Sequence, residues 1–126
     1  MMPDRSILLV DDDEEFLEIL VRRFTRRGMQ VVGVGCPDQA LDAAGQQHFH
    51  VAVVDRSLPG RDSGQLIARL KAAHGHLQVI VLSGHGDASS VADALDQGAF
   101  EYLIKPCGLA DLEGAINRAL GIPDSV

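Results

Sequence analysis

Residues 7–16 read "ILLVDDDEEF", four aliphatic side chains running directly into five carboxylates and closing on Phe16. An aliphatic run without polar alternation marks a strand buried on both faces, and Asp11 is where this one ends. The period then changes: Phe16, Leu17, Leu20, Val21 and Phe24 recur at helical spacing and Gly28 supplies a stop, which predicts an amphipathic helix over 13–27. Asp13, Glu14 and Glu15 suit the free N–H groups and positive dipole end of that helix. Capping needs only one or two acids, so Asp11 and Asp12 call for another explanation.

The same alternation continues along the chain. "MQVVGVG" (29–35) predicts a short strand, and "PDQALDAAGQ" (37–46) a helix opened by Pro37 and Asp38. "HVAVVD" (50–55) is a second aliphatic run ending on an aspartate, Asp55, followed by the loop chemistry of "RSLPGRDSG" (56–64). "QLIARLKAAHG" (65–75) reads as a helix and "LQVIVLSG" (77–84) as a buried strand ending at Ser83. "DASSVADALDQG" (87–98) is a helix, "AFEYLI" (99–104) a strand leading into Lys105, and "GLADLEGAINRALG" (108–121) a closing helix carrying Leu109, Leu112, Ile116 and Leu120. Strands alternating with helices through short connections predict an α/β fold, doubly wound, in which right-handed crossovers lay helices over both faces of a parallel sheet.

Length and composition bound the rest. A chain of 126 residues is one domain's worth, so 1–126 is expected to form a single unit. Its hydrophobic content of 46% and charged content of 23% fit a soluble globular protein, and no apolar run reaches the length of a bilayer span. "MMPDRS" lacks the layout of an export signal, which places the chain in the cytoplasm. The net charge of −7, with "RRFTRR" (22–27) accounted for by a helical face, argues against direct nucleic-acid binding. Cys36 and Cys107 fit no metal or redox spacing and read as free thiols. The histidines of "HFH" (48–50) and "HGH" (74–76) read as solvated side chains near strand starts and helix ends. Neither GxxxxGK[ST] nor GxGxxG occurs.

In a doubly wound sheet, ligands sit outside the carboxyl ends of the strands, at the point where strand order reverses. Those ends here carry Asp11, Asp12 and Asp13, then Asp55, Ser83 and Lys105. Clustered carboxylates repel one another unless a cation neutralises them. Mg²⁺ suits such a site, because it takes hard oxygen ligands and binds through one or two carboxylates while keeping water and phosphate.

These residues resemble the two-component response-regulator receiver domains, the family of the bacterial chemotaxis regulator, over essentially the whole chain. The resemblance rests on the acidic pair Asp11 and Asp12, on Asp55 with Pro59 four residues on, on Ser83 in "VIVLSGHGD", on Tyr102, and on Lys105–Pro106 in "EYLIKP". It implies a flavodoxin-like (βα)5 fold with a five-stranded parallel sheet in the order 2-1-3-4-5. It implies a signalling domain rather than a turnover enzyme, catalysing only its own phosphorylation and dephosphorylation. Asp55 would accept a phosphoryl group from a histidine kinase or phosphotransfer protein. Asp11, Asp12, Asp55 and the backbone carbonyl of Ser57 would hold Mg²⁺, for which Mn²⁺ can substitute.

By the same resemblance, Lys105 and Ser83 would contact the phosphoryl oxygens, and the Lys105–Pro106 peptide would be cis. Ser83 and Tyr102 would switch the surface of the fourth helix, last strand and last helix toward an output domain or protein. A homodimer formed on phosphorylation falls within the same expectation, whereas membrane and direct nucleic-acid partners do not. Gly84 stands where the family more often has alanine, and Ser57 and His85 occupy positions that modulate acyl-phosphate lifetime in the family.

A phosphatase of the haloacid-dehalogenase type shares part of this inventory, with Asp11 as nucleophile and Asp13 as general acid. Glu15 replaces the Thr or Val expected after such a motif, no acidic pair follows Lys105 on a later strand, and the chain has no room for a cap. A receiver-like module that binds a partner without phosphorylation is disfavoured by the intact set of acids, Ser83 and Lys105.

Overall fold

Strand β1 (Ser6–Val10) is buried along its whole length, as the run of aliphatic residues requires. It sits near the middle of a parallel sheet between β2 (Gln30–Val34) and β3 (Val51–Asp55), and β4 (Gln78–Ser83) and β5 (Glu101–Ile104) extend the sheet beyond β3. The order is therefore β2-β1-β3-β4-β5. The helices are α1 (Glu14–Arg26), α2 (Pro37–Gln46), α3 (Ser63–Ala73), α4 (Ala88–Asp96) and α5 (Leu109–Ala119). The structure is a computed structural model and describes residues 5–55, 63–84 and 88–122.

Because successive strand residues point to opposite faces, the aliphatic runs feed two cores at once. Leu8, Val10, Ala52, Val54, Val79 and Val81 face Ala40 and Ala44 of α2 and Leu66, Ile67 and Leu70 of α3, with Ala94 of α4. Ile7, Leu9, Val51, Val53, Ile80 and Leu82 face Leu20 and Phe24 of α1 and Leu112, Ala115 and Ile116 of α5. Each of the larger side chains among these, the Val, Leu, Ile and Phe residues, contributes roughly 1.5–3 kcal/mol by its removal from water. The outer strands are half-exposed, so β2 and β5 lack the unbroken burial of β1, β3 and β4.

The predicted helices are present with boundaries shifted by one or two residues. Asp13 is the N-cap of α1, its carboxylate accepting from the Phe16 N–H at 3.1 Å. Gly28, at φ +86°, closes the same helix: its N–H donates to the Thr25 carbonyl and the Met29 N–H reaches the Phe24 carbonyl. A residue with a Cβ is strained in that left-handed conformation, which accounts for the glycine.

Arg5 is a structural residue that hydrophobic patterning does not disclose. It is 8% exposed at the entrance to β1, where its guanidinium donates to the Arg27 carbonyl (2.5 Å) and to Asn117 Oδ1 (3.2 Å) and lies 3.5 Å from Glu113 Oε2. Arg27 also pairs with Glu113, at 3.1 Å. The start of β1, the end of α1 and one face of α5 are thereby tied at a single planar fork, a geometry suited to arginine. Arg5→Ala should lower unfolding stability by about 1–3 kcal/mol, because it strands buried acceptors as well as deleting bonds. Urea unfolding against Glu101→Ala, which breaks the more exposed pair with Arg118, supplies the comparison; equal small losses would count against the Arg5 assignment.

Candidate functional site

Strand order reverses between β1 and β3, and the carboxyl ends of these two neighbours carry Asp11 and Asp55. Both aspartates are nearly enclosed, at 4% and 3% exposure, whereas Asp12 is exposed. The three each bring a carboxylate oxygen within 4.8 Å of the others, the one such group of potential metal ligands among the described residues. An all-oxygen, acidic donor set of this kind fits a hard divalent cation.

Lys105 enters from the end of β5. Its Nζ lies 3.3 Å from Asp55 Oδ1, 3.9 Å from Asp11 Oδ2 and 5.9 Å from the centre of the Phe16 ring. The Lys105–Pro106 peptide is cis, as the resemblance implies. Ser83 closes β4, fully buried, and its carbonyl accepts from the Lys105 N–H at 2.7 Å, so β4 hands Lys105 to the site. Tyr102 lies half-buried on β5 opposite Val81, against the core on the α2–α3–α4 face. The structure thus assembles Asp11, Asp12, Asp55, Ser83 and Lys105 at one sheet edge. Ser57, Pro59 and His85 lie outside the described residues.

Electrostatics set Asp11 apart. Burial, the largest cause, lifts its carboxyl from the usual 3.8 to about 6. The Asp13 N–H, donating to Asp11 Oδ1 at 2.9 Å, pulls the other way. The charge of Asp55 and a hydrogen bond with it add to the rise, which Lys105 partly offsets. Negative charge is therefore crowded at this edge, and among the described residues the Lys105 ammonium lies against it.

Cys36 and Cys107 are free and half-buried. At the opposite edge of the sheet, His48 and His76 are exposed, as expected of solvated side chains. Sequence reading did not anticipate that their rings stack at 4.4 Å between centroids. It also passed over Phe16 beneath Lys105, whose helical periodicity marked it only as a core residue.

A five-stranded parallel sheet ordered 2-1-3-4-5, with an acidic switch-point edge, a buried serine and a lysine before a cis proline, defines the receiver class of signalling domains. Residues 7–117 match the family described as response regulator receiver domain, and the chain belongs to that family. Among curated relatives, the DNA-binding transcriptional regulator NtrC of Klebsiella pneumoniae is 31% identical over 112 residues, covering 89% of this chain and 24% of the relative. The chain thus spans about a quarter of that regulator's length. A receiver domain protein from Clostridium thermocellum superposes with a TM-score of 0.86 at 29% identity, covering 93% of this chain and 94% of the other. A response regulator from Burkholderia pseudomallei, solved with a phosphorylated aspartic acid, calcium ion and citrate, superposes at 0.85 with 30% identity, covering 98% and 78%. No helix among the described residues is long and apolar enough to cross a membrane.

The raised Asp11 value carries a sign. The folded chain holds a proton on Asp11 up to about pH 6, whereas the unfolded chain releases it near 3.8. Metal-free stability from this group should therefore be greatest below about pH 4 and fall as pH rises to about 6, by at most about 3 kcal/mol. Urea midpoints measured in chelator from pH 4 to 7 should show this decline in the wild type and a flatter profile in Asp11→Asn; identical slopes would refute the assignment.

Proposed function

We propose that this chain is a single receiver domain over 1–126 that accepts a phosphoryl group on Asp55. The observation that carries the reading is the convergence of Asp55 with Lys105 at 3.3 Å, beside Asp11 and at the ends of separate strands. A carboxylate is a weak nucleophile, and phosphoryl transfer depends on positioning and on neutralising the equatorial oxygens. Asp55 ends the central strand β3, which is laddered to β1 up to Val54 and to β4 through Asp55 itself opposite Leu82, so its position is set by the fold.

Asp11, Asp12, Asp55 and the Ser57 carbonyl would hold Mg²⁺, or Mn²⁺ in its place. When bound, the ion supplies the positive charge that offsets both the acidic cluster and the incoming phosphoryl oxygens. Lys105 holds a second positive centre against Asp55 and stays beside the phosphoryl group after transfer. Ser83 offers its hydroxyl to a phosphoryl oxygen. Asp11, enclosed and held by the Asp13 N–H, is poorly placed to attack, which weighs against the phosphatase reading.

The donor in this reading is a phosphohistidine on a kinase or phosphotransfer protein, and the setting is the cytoplasm. The response passes through Ser83 and Tyr102 to the α4–β5–α5 face, as a shift between two populated arrangements. That face already exposes Leu95, Phe100 and Ile104, and a groove between β5 and α5 sets Leu103, Ile104 and Ala110 beside the charged Asp111, Glu113 and Arg118. A surface of exposed apolar side chains beside a mixed apolar and charged groove suits an output domain or partner, or a second receiver in a homodimer formed on phosphorylation. Ser57 and His85 would tune the lifetime of the acyl phosphate.

Incubation with acetyl phosphate and Mg²⁺ should add one base-labile phosphate per chain, and chelation should prevent it. Asp55→Asn should reduce labelling to background; persistence in that variant, or dependence on Asp11 as the labelled residue, would favour the phosphatase reading. Ser83→Ala should still accept phosphate on Asp55 but lose most of the NMR shift change near Tyr102 that beryllofluoride produces in the wild type. The absence of any change near Tyr102 in the wild type would exclude the proposed route to the α4–β5–α5 face.

A further inference from the structure

The edge of the sheet opposite the acidic site gathers the two His-x-His segments. Strands β3 and β4 are paired neighbours with Val51 opposite Gln78, and the pairing continues outward where the Gln78 N–H donates to the His50 carbonyl at 3.1 Å. His48–His50 and His74–His76 are therefore brought side by side by sheet register. His48 and His76 stack with planes 10° apart, and His76 Nε2 lies 3.1 Å from His48 Nδ1. His74 stands edge-on to His76 at 6.5 Å, and His50 edge-on to His48 at 5.0 Å.

The supports of this group are ordered. Ser6 Oγ donates to the His48 carbonyl (3.1 Å), the Ser6 N–H donates to His50 Nδ1 (3.3 Å), and Lys71 Nζ donates to the Gly75 and Leu77 carbonyls (3.1 and 2.8 Å). Accepting at Nδ1 leaves neutral His50 with its proton on Nε2, so His50 orients the group and is not a ligand. His48, His74 and His76, by contrast, line one cleft of about 10 Å³, the room of a single water-sized ion, floored by Ala44, Phe49 and Leu77.

We propose that His48 and His76, completed by His74, form a second cation site, selective for a borderline transition metal such as Zn²⁺ over Mg²⁺. A nitrogen–nitrogen contact of 3.1 Å requires one unprotonated acceptor, so at least one ring of the pair is neutral and offers a lone pair. Two imidazoles on one tetrahedral Zn²⁺ at 2.0–2.1 Å stand roughly 3.3 Å apart, close to the spacing already present. Binding needs the donor ring of the pair in its other neutral tautomer and a rotation of the two exposed rings off their stack, bringing both lone pairs to one point. The ring nitrogens of His48, His74 and His76 do not all lie within 4.8 Å of one another as they stand, so His74, on the turn after α3, must also swing inward to supply the third nitrogen, with water in the fourth position. Imidazole nitrogen favours such metals, whereas Mg²⁺ stays with the oxygens of the other edge.

The test is a Zn²⁺ titration of the whole chain in saturating Mg²⁺, followed by NMR of the histidine ring nitrogens and by calorimetry. One Zn²⁺ per chain should bind, shifting the ring nitrogens of His48, His74 and His76. Losing a ligand should cost at least what loss of an outer-shell partner does, so His48→Gln and His76→Gln should each weaken binding about 10–100-fold or more. Asp12→Ala should leave this binding unchanged. Shifts confined to the acidic edge, unaltered affinity in both histidine variants, or one metal bridging two chains would each overturn the proposal. The wild-type ring spectra decide the matter even if a variant fails to fold.

Discussion

Asp11 and Asp55 are held a few ångströms apart at the ends of adjacent buried strands, where water cannot screen their repulsion, and Lys105 reaches in from a third strand to offset it. This contact constrains everything around it. It requires β1, β3 and β5 to end at the same level, which fixes the register through β4, and it requires Lys105 to be aimed by the backbone that Ser83 holds. The raised proton affinity of Asp11 comes first from this burial and then from the neighbouring Asp55.

The two cores explain why so strained an electrostatic arrangement is stable. β1 and β3 bury every side chain and are locked between helices on both faces, so the strand ends cannot retreat to relieve the repulsion. The fork of Arg5 on Arg27, Glu113 and Asn117 ties down the far end of β1. A scaffold stiff at the center with half-exposed outer strands leaves β5 and its flanking helices as the side on which a change at the acidic edge can be expressed. The exposed Leu95, Phe100 and Ile104 lie on that side.

The opposite edge carries a different chemistry by the same device. Parallel register that levels the carboxyl ends also levels the amino ends, so the histidines of 48–50 and 74–76 are brought together, His48 against His76. The sheet therefore carries carboxylate oxygens at one edge and imidazole nitrogens at the other, donor types that suit different classes of cation.

Local sequence determined the elements and most of the acidic edge. Unbroken aliphatic runs announce buried parallel strands, and the polar residue ending each run marks a sheet edge, so Asp11, Asp55, Ser83 and Lys105 were legible as a group before any coordinates. The asymmetry of the alternation, with helical period following each run, was enough for the fold class, and the match to the receiver pattern for strand order. Contacts between residues remote in sequence were not legible, because nothing in local periodicity encodes a partner. Arg5 reads as one more charged residue near a terminus until α5 is packed against β1; Phe16 reads as core until Lys105 crosses it. The four histidines read as independent and solvated, since their proximity exists only through the β3–β4 register. Tertiary structure alone decided these, because burial and distance, which set both the Asp11 proton affinity and the histidine pairing, are properties of the packed chain and not of any segment of it.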